Sequence, residues 1–90
     1  SKKVKLIILD LDNTLWGGEA GEKRENELEI GPNSIKGVIF QQFQQRLKLL
    51  KKYGAILAIC SKNYEKNALN VFKKNENIIF HLKIFLFYYF

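Results

Sequence analysis

Apolar and polar positions divide the chain into two short apolar runs, one long periodic segment and an aromatic end. Val4-Lys5-Leu6-Ile7-Ile8-Leu9 is β-branched and apolar and stops at Asp10. That length and composition predict a strand buried on both faces, as in a parallel sheet. Asp12-Asn13 and then Gly17-Gly18 break the run. Residues 19–29 are too acidic for core, and Glu27-Leu28-Glu29-Ile30 alternates like one arm of a small hairpin. Gly31-Pro32-Asn33-Ser34 gives a turn in which Asn33 or Ser34 can cap a following helix.

In that helix Ile35, Ile39, Phe43, Leu47 and Leu50 recur at spacings of four, four, four and three. The spacing predicts one apolar stripe facing the core, with Gln41, Gln44, Gln45, Lys48 and Lys51 off it. Gly54 stands where a helix-terminating glycine belongs. Ala55-Ile56-Leu57-Ala58-Ile59-Cys60 predicts a second buried strand, with Ser61-Lys62-Asn63 at its carboxyl end. Residues 64–74 read as a second helix with Ala68, Leu69, Val71 and Phe72 apolar. Strand, excursion, helix, strand, helix implies a right-handed crossover and a parallel sheet. Ligands bind at the carboxyl ends of such strands, which places residues 10–14 beside residues 61–63 on one rim.

Residues 78–90 differ from the rest. Their beginning reads as a candidate third strand, and their end is a dense aromatic run of high β-propensity and low charge. The expected account is a core or edge strand whose covering elements lie outside the chain, and with it self-association of the isolated 90-mer.

Ninety residues bound the answer to one domain with a marginal core. A composition of 47% hydrophobic and 27% charged residues with a single Pro excludes a collagenous or largely disordered chain. No run of about 18 uncharged apolar residues is present, so no membrane span is expected. Ser1-Lys2-Lys3 carries neither Met nor a signal peptide, and Cys60 is the only cysteine. Both fit a processed or cut segment of a cytoplasmic protein. Residues 1–45 hold six basic and seven acidic side chains, and residues 46–90 hold nine and two. A basic half can serve a nucleic acid or an anionic substrate. With no RNA-recognition signature and no zinc-finger spacing, the lysines read as solvated helix surface and no nucleic-acid partner is expected.

The chemistry concentrates at the two strand ends. Asp10 and Asp12 are carboxylates two residues apart, followed by Thr14. One carboxylate can attack phosphorus, while the other protonates the leaving group and then deprotonates water. Two acids facing a phosphoryl group need a divalent cation, and hard oxygen ligands favour Mg²⁺. Ser61 can donate its hydroxyl to a phosphate oxygen. The plainer alternative makes Asp12-Asn13 a turn and Ser61 a helix cap. Lys62 and Asn63 are candidate phosphate or substrate contacts, against a solvated lysine and a cap. Trp16 either packs under the excursion or stacks on substrate. His81 is expected to be structural.

Asp10-Leu11-Asp12-Asn13-Thr14-Leu15-Trp16-Gly17-Gly18 resembles the first motif of the haloacid dehalogenase-like superfamily and, more narrowly, its FkbH-like branch. Leu28-Glu29-Ile30-Gly31-Pro32-Asn33-Ser34, the Phe and Gln content of residues 40–50, and Ala58-Ile59-Cys60-Ser61-Lys62-Asn63 extend the likeness over residues 4–74. The resemblance implies an incomplete Rossmann-like, three-layer α/β fold with a parallel sheet. After the first strand it implies a squiggle at residues 13–16 and a flap at residues 17–30. By motif, Asp10 matches the nucleophile and Mg²⁺ ligand, and Asp12 the general acid/base, whose backbone carbonyl also reaches the metal. Thr14 matches the residue that orients the pair, and Ser61 the phosphate-binding hydroxyl.

The FkbH-like branch implies polyketide assembly: a glyceryl group is taken from 1,3-bisphosphoglycerate, phosphate is removed, and an acyl carrier protein is loaded. In that scheme Cys60 is either an acyl relay or a small apolar residue ending a buried strand, and the lack of a neighbouring base favours the second. The superfamily's third-motif lysine and fourth-motif acidic pair do not occur in the chain. Residues 1–77 therefore read as the amino-terminal part of such a domain, and residues 78–90 as an apolar tail reached by truncation or a shifted reading frame. Little or no phosphatase activity is expected of the chain alone. The alternatives are a generic Mg²⁺-dependent phosphatase of the same superfamily and a non-catalytic interaction module derived from the fold.

Overall fold

The computed structural model describes residues 5–90. Three strands, β1 (Leu6–Leu9), β2 (Ile56–Cys60) and β3 (Phe87–Tyr89), form one sheet in the order β1-β2-β3. Both pairings are parallel, with Leu6 opposite Ile56, Leu9 opposite Ile59, Ala58 opposite Phe87 and Cys60 opposite Tyr89. Two helices, α1 (Ile35–Lys52) and α2 (Glu65–Lys74), make the crossovers. Val4, in the predicted first strand, lies outside the described residues. The parallel α/β class and the positions of the first two strands are therefore as expected from the sequence, but β1 is not buried on both faces: Leu6 and Ile8 are exposed, because none of the described helices covers their side of the sheet.

The third strand sits elsewhere than expected. It forms at the end of the aromatic segment, where the Leu86 amide donates to the Leu57 carbonyl and the Ser61 amide to that of Tyr89. The beginning of the segment is irregular and bears a short 3₁₀ turn at Leu82–Ile84. Phe80 and Phe85 turn inward there, their ring centroids 5.6 Å apart, and both pack against Phe72 of α2. The aromatic residues divide their work, two filling core and the last ones extending the free edge of β2.

Helix α1 begins as predicted. Ser34 is its N-cap, its Oγ accepting the Gly37 amide at 2.9 Å. At the other end Gly54 takes φ +104°, a left-handed conformation open to glycine. The face it buries is not the predicted one. Ile35 is 84% and Ile39 59% exposed, and Leu50 is exposed as well. The core side carries Gly37, Gln44 and Leu47, with Phe40 half-buried, so the helix is rolled by about 100° from the predicted stripe, taking 100° per residue.

Two contacts fix that roll. A Cβ on Gly37 would collide with the Gly31 carbonyl oxygen, so only glycine lets the helix start so close to the preceding turn. Gln44 is fully buried: its Nε2 donates to the Leu15 carbonyl at 2.6 Å and its Oε1 accepts the Ile79 amide at 3.3 Å. Turning Gln44 outward would leave both backbone groups unpaired inside the protein.

Leu9, Leu57 and Ile59 of the sheet share one core with Leu47 of α1 and with Ala68 and Val71 of α2. Both helices therefore cover the same face, and the described residues form two of the three layers expected of the fold. Alternation along the strands puts Leu6, Ile8, Cys60, Phe87 and Tyr89 on the other face, where all are exposed. Among the described residues no helix is long and apolar enough to cross a membrane.

Candidate functional site

Asp10 follows directly on β1, exposed, with Oδ1 accepting the Leu11 amide at 2.7 Å. The chain then makes one tight turn. The Thr14 and Leu15 amides both donate to the Leu11 carbonyl, at 3.0 and 2.8 Å, while fully buried Leu11 and Leu15 anchor the turn in the core. Asn13 takes φ +57°, where its short amide is tolerated, and its Oδ1 accepts the Gly18 amide. This turn is the expected squiggle. Gly17 and Glu29 then exchange both backbone hydrogen bonds at 2.9 Å, closing the expected flap as an antiparallel pair.

The flap is pinned along α2. At its far end the Asn75 side chain donates to the Glu25 carbonyl at 2.6 Å, and the Glu76 amide to Asn26 Oδ1. At its tip, Gly21 lies so close to Asn67 that a Cβ there would collide.

Asp12 is the most heavily bonded acid of the site. Its Oδ1 accepts the Trp16 indole N–H and the Ala20 amide, each at 2.9 Å. Its Oδ2 accepts Asn63 Nδ2 at 2.7 Å, and the same Nδ2 lies 2.7 Å from the Ala20 carbonyl. Asn63 Oδ1 in turn accepts the Tyr64 amide at the start of α2. The two strand ends do meet, as the parallel topology predicts, and Asn63 is the residue that joins them.

An open cleft of about 650 Å³ lies over this junction, lined among others by Asp10, Asp12, Glu19, Glu22, Lys62 and Asn63. The other sequence-predicted residues stand differently. Ser61 is only 6% exposed, its Oγ accepting the Asn63 amide at 3.2 Å, and it lies beneath the cleft lining rather than on it. Half-buried Thr14, within the squiggle, is not part of the lining either. Cys60 is exposed and falls on the uncovered sheet face, away from the cleft. The expectation of a packed apolar Cys60 is thus corrected, because the face it points to carries no helix. Trp16 is fully buried, edge-on to Phe72 with centroids 5.7 Å apart, so it packs under the flap instead of stacking on a substrate.

Glu19 and Glu22 were not singled out by sequence reasoning. Their signal was there, two acids three apart among Gly18 and Gly21, but an acid-rich stretch reads first as solvated surface. The Glu22 charge holds the Glu19 carboxyl above its ordinary 4.5, with smaller contributions from lost hydration, a hydrogen bond with Glu22 and the charge of Asp12. The oxygen donors of Asp10 and Asp12 suit a hard cation. No group of three His, Cys, Asp or Glu side chains converges among the described residues. Mg²⁺ is commonly held by one or two carboxylates completed by water and substrate phosphate, so this donor set fits it.

No protein-family model matches the chain, and no curated protein matches it. Among solved structures, the chain is similar to the N-terminal part of the protein BF1531 from Bacteroides fragilis, which contains a phosphatase domain and was crystallised in complex with Mg. The TM-score is 0.89 at 38% sequence identity, over 94% of this chain and 23% of that one. The chain thus spans about a quarter of the length of the crystallised chain it matches. Its fold is haloacid dehalogenase-like α/β, with the parallel sheet, squiggle and flap in place.

Proposed function

We propose that the chain carries the nucleophile side of a Mg²⁺-dependent phosphoryl-transfer site for a phosphorylated small molecule. In this reading Asp10, exposed at the cleft with its Oδ2 free of any protein partner among the described residues, attacks phosphorus and displaces the ester oxygen, giving an aspartyl phosphate. Asp12 gives a proton to the departing oxygen and then takes one from the water that hydrolyses the acyl phosphate. Mg²⁺, held by the Asp10 carboxylate and the Asp12 backbone carbonyl, would neutralise charge between these acids and the phosphoryl oxygens. Lys62 at the cleft supplies a further positive charge, and Ser61 supports the loop from below.

The observation that carries the proposal is the Asn63–Asp12 hydrogen bond, which brings the two strand ends to one cleft. The phosphatase domain and Mg of the similar Bacteroides protein support it.

The finer reading is the FkbH-like one: transfer of a glyceryl group from 1,3-bisphosphoglycerate with dephosphorylation, loading an acyl carrier protein in a cytoplasmic polyketide pathway. Trp16-Gly17-Gly18 and Cys60-Ser61-Lys62-Asn63 favour it over a generic phosphatase. A substrate screen that includes 1,3-bisphosphoglycerate separates the two. Cys60 as an acyl relay finds no support in its placement. Self-association of the isolated chain, through the uncovered sheet face, belongs to the same proposal.

Isothermal titration tests the site. Mg²⁺ uptake that disappears in Asp10→Asn is expected, whereas no uptake by the wild-type chain favours the non-catalytic module. Because the third and fourth motifs are not in this sequence, hydrolysis of p-nitrophenyl phosphate is expected to stay near background. Robust Mg²⁺-dependent hydrolysis abolished by Asp10→Asn would show that the chain is sufficient by itself.

A further inference from the structure

Asp12 has more protein partners than a surface acid needs. An ionised carboxylate offers about four acceptor positions, two on each oxygen. Trp16 Nε1 and the Ala20 amide occupy both positions of Oδ1, and Asn63 Nδ2 occupies one of Oδ2. One position remains, on Oδ2. The three donors come from three places: a buried ring in the squiggle, the flap backbone and the loop after β2.

Asn63 is itself fixed, with Oδ1 taken by the Tyr64 amide and its own backbone amide on Ser61 Oγ. Trp16 is fixed by complete burial against Phe72. Neither donor can follow the carboxylate if it rotates, so the carboxylate is held to them. Asn63 also donates to the Ala20 carbonyl while the Ala20 amide donates to Asp12, so a closed ring of hydrogen bonds ties the flap to the acid.

We propose that Trp16 and Asn63 are positioning residues for Asp12. Trp16 together with the Ala20 amide saturates Oδ1, and Asn63 takes one position of Oδ2, so a single acceptor position on Oδ2 stays open and the flap is tied to the acid through Ala20. This rests on the phosphoryl-transfer reading for its catalytic meaning, but the geometry itself is testable without turnover. It assigns to the indole N–H of Trp16, beyond its packing role, a polar function that a phenyl ring cannot replace.

The test uses nuclear magnetic resonance on the full 90-residue chain at neutral pH, where the one tryptophan gives one unambiguous indole N–H signal. In Asn63→Ala the indole signal is expected to shift and its exchange with solvent to quicken about tenfold, together with the Ala20 amide, because a charge-assisted hydrogen bond has been lost on the far side of Asp12. In Trp16→Phe, which keeps an aromatic ring in the core, the Asn63 side-chain amide signals are expected to move. The amides of Leu57 and Ile59 in β2 should keep their protection in both.

A purely structural Trp16 has no reason to report on Asn63. Wild-type signals and exchange at the remote partner in either folded variant would overturn the proposal. Should Asn63→Ala lose the protection of β2, Trp16→Phe and Asp12→Asn decide it, the latter being expected to move both the indole and the Asn63 amide signals. Absence of Mg²⁺ uptake with this coupling intact would sink the phosphoryl-transfer reading and leave the positioning ring standing. Uptake without coupling would do the reverse.

Discussion

The two faces of the sheet are finished to different degrees. On one, Leu9, Leu57 and Ile59 are covered by both helices and by Phe80 and Phe85. On the other, Leu6, Ile8, Phe87 and Tyr89 of the same strands stay exposed. The carboxyl rim belongs with the finished side: no buried side-chain nitrogen or oxygen among the described residues lacks a partner. The geometry of the acids is therefore settled locally, by the squiggle, the flap and Asn63. On that second face Ala58 is buried between its neighbours, but the large side chains Leu6, Ile8, Phe87 and Tyr89 are not covered by any of the described residues, and contiguous apolar surface of that kind marks an interaction site or an aggregation hazard.

The largest expected effect tests this contrast directly. Ile59, 0% exposed, and Ile8, 57% exposed, sit on opposite faces of neighbouring strands. Ile59→Ala should cost about 2–5 kcal/mol in thermal or denaturant unfolding, from lost burial and the cavity left behind. Ile8→Ala should change stability by less than about 0.5 kcal/mol in the monomer. Ile8→Lys should reduce the oligomer seen by light scattering without lowering the midpoint of unfolding. Equal costs at the two positions would mean that the second face is covered in solution, and a monodisperse wild-type monomer at micromolar concentration would remove self-association.

A smaller effect is expected at Gln44, the residue that joins the finished face to the squiggle and to the aromatic segment. Gln44→Ala leaves the Leu15 carbonyl and the Ile79 amide without their side-chain partners, at a cost of about 1–3 kcal/mol. Ile39→Gln, on the exposed side of α1, should cost almost nothing. The apolar periodicity predicts the opposite ranking, so one pair of unfolding curves decides which face of α1 is buried.

That reversal marks where the sequence stopped being legible. Strands β1 and β2, the Ser34 cap and the Gly54 stop rest on local signals, and they appear where those signals put them, whereas the hairpin arm expected at residues 27–30 is reduced to the single Gly17–Glu29 pair, with Glu27 in a 3₁₀ turn. The roll of α1 does not. Its apolar residues outnumber what one face requires, and the choice between faces fell to Gly37 at the Gly31 carbonyl and to Gln44 at two distant backbone groups. Neither contact has a periodic signature. The third strand was misplaced for a similar reason, since Ile78-Ile79-Phe80 and Phe87-Tyr88-Tyr89 have comparable β-propensity and only packing against Phe72 separates them.

At the site, Asp10 and Asp12 stood out from spacing, and parallel topology brought Asn63 beside them. The role of Asn63 as a bridge, and the presence of Glu19 and Glu22 on the cleft, depend on how the flap folds back. That fold is fixed by long-range contacts to Asn67 and Asn75.

The smallest effect concerns those flap acids, and it sharpens what the polar rim has that the apolar face lacks, namely crowded like charge. The Glu22 charge beside Glu19 raises the Glu19 carboxyl above 4.5, so the folded state disfavours its ionised form. The penalty is fully present above the raised folded value and vanishes below the unfolded one, so stability recovers as pH falls through that window. Glu19→Gln should therefore raise the unfolding temperature slightly at neutral pH and leave it unchanged near pH 4 or below, about the ordinary carboxylate value. Because the repulsion is shared, Glu22→Gln should give a similar gain, and the double variant less than the two together. Salt should shrink the gain, since Glu19 is exposed and its field is screened. A gain that persisted in acid would have to come from something other than charge. A loss at neutral pH would mean that the Glu19 carboxylate holds a partner of its own, making the flap a ligand-bearing part of the rim and not only its cover.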